Sequence, residues 1–83
     1  MEISTFAEEI ARRMIEAEKL GADSVKVNAG EVHRAVGGYP SRNHSMPTCC
    51  DAMYREQRDG DRVFSTPHKG KGASLTIEYM LPR

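Results

Sequence analysis

Ser24-Val25-Lys26-Val27-Asn28-Ala29-Gly30-Glu31-Val32 changes its hydrophobic period partway along, and that change decides the fold class. Ser24 to Val27 alternates, with Val25 and Val27 on one face, which is the two-residue repeat of a short strand. From Asn28 the spacing turns helical: Ala29, Val32 and Val36 fall on one side, with Ala35 flanking. Asn28 suits an N-cap because its side-chain oxygen can accept from a first-turn amide. Glu31, three residues on, makes the pattern box-like. Gly37-Gly38 stops this helix.

Upstream, the spacing predicts a helix from about Thr5 to Leu20. Thr5 and Glu8 form a capping-box pair, and Phe6, Ala7, Ile10, Met14 and Ala17 form one buried stripe. Glu8, Glu9, Arg12, Arg13, Glu16 and Lys19 take the other faces, and Gly21 is placed to end the helix in a left-handed conformation. Downstream, the stretch 39–45 is polar and turn-rich. A third helix is expected from about Met46 to Gln57, with Ser45 as its cap and Pro47 tolerated in the first turn. Met46, Cys49, Cys50 and Met53 make its buried stripe, so Thr48, Asp51, Ala52 and Arg55 are expected to face outward. Arg58-Asp59-Gly60-Asp61 turns the chain into a short strand, Arg62–Ser65. Thr66 to Ala73 reads as a loop. Ser74 to Leu81 then alternates, with Leu75, Ile77, Tyr79 and Leu81 on one face and Thr76, Glu78 and Met80 on the other, completing a hairpin.

The chain has 83 residues, 39% hydrophobic and 29% charged, with no Trp. That length and composition point to one globular domain over 1–83, and the elements above make it α+β, without repeats or an interior linker. No apolar run approaches the roughly 20 residues of a membrane span, and Met1 to Thr5 lacks the apolar region of a signal peptide. Cys49 and Cys50 are adjacent, which disfavours a bridge between them, and no second pair offers a disulfide framework. A reducing, cytoplasmic setting is the expectation.

The element order is helix, strand, helix, helix, strand, loop, strand. In that order the chain resembles the winged helix-turn-helix family over most of its length. The resemblance rests on the strand Ser24–Val27 between the first two helices, the close pairing of helices two and three, and the terminal hairpin whose loop carries Pro67, Lys69, Gly70, Lys71 and Gly72. The stretch Gly37–Ser45 is longer than the turn of the simplest helix-turn-helix. The resemblance implies a three-helix domain of order H1-S1-H2-H3-S2-wing-S3, the third helix reading duplex DNA and the 66–73 loop acting as the wing. Arg42, His44, Thr48, Asp51 and Arg55 would then lie at or beside the major groove, with Asn43 and Ser45 among the DNA-binding residues in the turn before helix three. Lys69 and Lys71 would lie on adjacent backbone or in the minor groove, in a wing that also carries His68 as a DNA-binding residue. Asp51 has the chemistry to accept from a cytosine amine, and Asn43 to pair with adenine.

Charge bears on this expectation. The twelve basic and twelve acidic groups cancel, which by itself argues against a polyanionic partner. They are unevenly placed, however. In residues 1–25, Arg12, Arg13 and Lys19 stand against Glu2, Glu8, Glu9, Glu16, Glu18 and Asp23, a balance of −3, and the remainder carries +3. Long-range steering is therefore weak and affinity must come from a local patch, doubled in a homodimer or larger assembly. The competing expectation is a winged-helix module for protein interaction or dimerisation. Lys-Gly-Lys-Gly is also what an ordinary solvated hairpin tip contains, and Tyr39-Pro40 and Met80 are apolar groups without an assigned core role.

Other chemistries find less support. His33, His44, Cys49, Cys50 and His68 include metal-ligating types, but adjacent helical cysteines diverge by about 100° and a four-ligand set is not defined. Buried small apolar side chains are the better reading of Cys49 and Cys50. A Cys/His nucleophile lacks an orienting third group and an oxyanion hole at recognisable spacing. Gly70-Lys71-Gly72 leads into a strand and lacks phosphate-loop spacing. The expectation is a non-catalytic protein without cofactor or metal.

Overall fold

The computed structural model describes residues 3–37, 46–66 and 71–82. Among these residues the chain forms α1 (Ile3–Lys19), β1 (Ser24–Asn28), α2 (Ala29–Val36), α3 (Met46–Glu56), β2 (Arg62–Ser65) and β3 (Thr76–Met80). The result is a small α+β fold with three helices and one antiparallel sheet of order β1-β3-β2; α1 and α2 pack on β1, and α3 packs on α1 and α2.

Helix α1 begins earlier than its sequence pattern suggested. Ser4 and Thr5 already lie inside it, so Thr5 is not its cap, and the Thr5/Glu8 pair falls within the helix body. The helix ends as expected. Gly21 takes φ +81°, its N–H donates to Glu18 O at 2.9 Å, and the Ala22 N–H reaches Ala17 O at 3.0 Å. These two bonds satisfy carbonyls that the last turn leaves open. Phe6, Ile10 and Met14 are buried along the predicted stripe, with Ala17 partly so.

The stretch 24–32 behaves largely as its period indicated. Val27 is buried, and β1 runs through Asn28, one residue further than predicted. Asn28 Oδ1 accepts from the Glu31 N–H at 3.1 Å and caps α2. The Glu31 carboxylate lies 3.8 Å from Arg13 instead, which ties α2 to α1. The buried side of α2 is Ala29, Gly30, Val32 and His33, while Val36 is only half-buried and Ala35 is exposed. His33 is wholly covered, its ring 4.9 Å from the Phe6 ring.

Helix α3 buries Met46, Cys49, Cys50 and Met53 as expected, but Ala52 is also buried, against its predicted outward placement. The reason is that α3 packs against both α1 and α2, so its covered arc is wider than a single stripe. Along 75–81, Leu75, Ile77, Tyr79 and Leu81 are all buried in the core, although the paired strand β3 is shorter than the alternation, covering Thr76–Met80. The Tyr79 hydroxyl donates to Met53 O at 2.7 Å, fixing α3 to the central strand from inside. No described helix is long and apolar enough to cross a membrane.

Candidate functional site

The chain that enters β3 is stitched to both middle helices. The Ala29 N–H donates to Leu75 O at 2.8 Å, and the Gly30 N–H to Ala73 O at 3.1 Å. With Asn28 Oδ1 on the Glu31 N–H, the opening amides of α2 have protein partners, so this helix N-terminus is used structurally rather than left for an anion. Gly30 allows the close approach: a Cβ there would stand 3.2 Å from Ala73 O. Cys49 Sγ lies 3.5 Å from Ala29 O, and Cys50 Sγ 3.4 Å from Gly72 O. The two thiols thus turn to different elements, one toward α2 and one toward the loop that precedes β3. Burial pushes the Cys49 thiol up to about 12, and it raises Cys50 as well. Neutral, covered thiols of this kind are inert packing groups. Among the described residues no three His, Cys, Asp or Glu side chains converge as a metal site.

On the outer side of this seam stands the described part of the expected interface. Thr48, Asp51 and Arg55 follow one another at i, i+3 and i+7 along α3, and Asp51 and Arg55 reach solvent. Lys71 Nζ donates to Asp51 Oδ1 at 2.7 Å, with 47% of the lysine and 44% of the aspartate side chain exposed. The hydrogen bond and charge of Asp51 hold the Lys71 ammonium above its ordinary range. Arg55 is exposed, with no ion-pair partner among the described residues. The structure therefore brings Thr48, Asp51, Arg55 and Lys71 to one seam. Arg42, Asn43, His44, Ser45, His68 and Lys69 lie outside the described residues, as do Tyr39 and Pro40.

The acidic surplus of the first segment is partly answered on α1 itself. Glu9 accepts from Arg12 Nη2 and Arg13 Nε, both at 2.7 Å, and Arg12 Nη1 reaches Glu16 at 2.8 Å. The hydrogen bond from Arg12, opposed by some burial and aided by Arg13, holds the Glu9 carboxyl below its usual range. Beside this cluster a shallow groove of about 300 Å³ runs between α1 and β1, lined by Arg12, Arg13, Glu16, Ala17, Leu20, Val25 and Lys26.

A second surface escaped the sequence reading. All four residues of β2 are exposed. Its register with β3 shifts between Val63 and Ser65, leaving Phe64 out of the ladder. Lys26 Nζ lies 3.9 Å from the Phe64 ring centroid, a cation–π contact spanning the sheet. Between them Glu78 accepts from Ser24 Oγ at 3.0 Å and Arg62 at 3.2 Å, which together hold its carboxyl below the usual range. Phe64 is 56% and Met80 41% exposed, so the apolar character noted for Met80 continues across the strand pair. The only hint in sequence is an aromatic in a strand too short to show alternation.

Compared with protein-family models, with curated proteins and with solved structures, the chain matches none.

Proposed function

We propose that this protein is a winged helix-turn-helix domain that binds duplex DNA without catalysis, as a transcription-regulator-like protein or as the DNA-reading part of a larger assembly. In this reading α3 enters the major groove and the 66–73 loop is the wing. The supporting frame is the element order together with a sheet in which β1 and β2 flank β3. The observation that carries the reading is the seam: the exposed positions of α3 and the base of the loop meet within 2.7 Å at Asp51 and Lys71, so a helix and a loop can engage one ligand together. Arg55 and the lysines of the loop supply phosphate contacts, and the side chains along α3 face the base edges. A cytoplasmic location and a homodimer or larger assembly belong to the same proposal.

Titration of a mixed-sequence duplex at about 50 mM and about 200 mM salt tests it. Binding that is measurable at the lower salt and falls steeply at the higher supports the proposal; no binding at 50 mM defeats it, because non-specific affinity is greatest there. Joint Lys69→Ala and Lys71→Ala replacement should weaken binding to all sequences and flatten the salt slope. A slope left unchanged removes the loop from the interface.

The second reading, a protein-interaction module, draws on the exposed Phe64 and Met80 on the outer side of the sheet. Aromatic and methionine side chains beside an arginine are typical of protein contact surfaces.

A further inference from the structure

Asp51 and Lys71 come from different elements, and the backbone around each is held. Gly72, next to Lys71, offers its carbonyl to the thiol of Cys50, which is next to Asp51. Ala73 and Leu75, just beyond, accept from the first turn of α2. The two side chains are therefore kept in register at the surface, each about half exposed, where an approaching polyanion would meet them.

A lysine in this position has its charge answered before any nucleic acid arrives. For a phosphate to take the ammonium it must displace the Asp51 carboxylate, and the displaced carboxylate then faces the phosphate as a like charge. An exposed ion pair is readily exchanged, so the contact restrains binding without forbidding it. Resting on the reading that this face binds duplex DNA, we propose that Asp51 is a restraining residue. It occupies Lys71 as an internal substitute for phosphate and so lowers the affinity of the face for DNA of any sequence. The consequence is specificity, since a domain whose non-specific binding is suppressed discriminates better on the contacts that remain.

The test is a salt-dependent anisotropy titration of one mixed-sequence duplex against the unaltered chain, Asp51→Asn, Lys71→Ala and the double variant. Asp51→Asn nearly keeps the side-chain shape at a half-exposed position; its melting curve verifies folding, and Asp51→Ser serves as a second replacement. The proposal predicts that Asp51→Asn binds about 5–10-fold tighter at about 50 mM salt, with a salt slope steeper by about one. Adding Lys71→Ala should remove both gains. An affinity for Asp51→Asn equal to or below that of the unaltered chain overturns the proposal, as does a gain that persists without Lys71. Absence of binding by both the unaltered chain and Asp51→Asn defeats the DNA reading and the restraint with it, whereas binding by the unaltered chain with no change in Asp51→Asn removes the restraint alone.

Discussion

β1 and β2 flank the same strand, yet they belong to different environments. Val27, Ile77 and Val63 form one row across the sheet. Val27 and Ile77 are buried, whereas Val63 is 37% exposed. β1 lies beneath α1 and α2, while every residue of β2 is exposed and its pairing is interrupted at Phe64. Both strands are held by β3, but only β1 is also held by a core. The difference shows that pairing alone makes a strand, while burial decides what its side chains are worth.

The largest effect should come from truncating the middle of that row. Ile77→Ala removes a fully buried side chain and should cost about 2–5 kcal/mol in chemical denaturation. Val63→Ala, in the same row, should cost less than about 1 kcal/mol. Equal costs would mean that β2 is as much a part of the core as β3.

The next effect concerns the thiols on the buried side. Cys49 has a folded-state pKa raised to about 12, above the ordinary thiol value near 9. The unfolded chain therefore loses its proton first as pH rises. The stabilising contribution is complete below about pH 9 and is lost between pH 9 and 12, on the order of 2 kcal/mol by pH 11. Cys49→Ala should flatten this alkaline decline, as followed by denaturation at stepped pH. In the native protein at pH 8, both cysteines should resist alkylation and react only on unfolding.

A smaller effect is expected at the inner contact of β3 with α3. Tyr79→Phe deletes the hydroxyl bonded to Met53 O and should cost about 1–1.5 kcal/mol with no change of fold. Smallest of all, Phe64→Ala removes the Lys26 cation–π contact and should cost about 0.5–1 kcal/mol. A loss of several kcal/mol there would contradict the picture of β2 as an exposed edge.

The parts of the fold that were legible in sequence share a cause. Ser74 to Leu81 reads cleanly because every inward residue of that stretch is buried against helices, so period two survives intact. Asn28 and Gly21 read correctly because their roles are local: a side-chain cap at one position and a positive φ at the other. The Thr5 cap misled because a capping box within a longer helix carries the same letters as one at its start. His33 and Ala52 were missed because their burial comes from neighbouring helices, which a one-stripe pattern does not contain. The union of Asp51 with Lys71 was invisible for a similar reason. Each residue was singled out as a DNA contact on its own element, and only the folding of the 71–75 segment onto α2 and α3 places them together.

The same contrast of regions sets the decisive measurement. Amide chemical shifts should be mapped while a mixed-sequence duplex is added at about 50 mM salt, where electrostatic affinity is high. If the seam is the interface, perturbations should gather on Thr48, Asp51, Arg55 and Lys71 to Ala73, and the amides of Val63, Phe64 and Met80 should stay still. Shifts confined to β2 and Met80, or no shifts at all, would contradict the account.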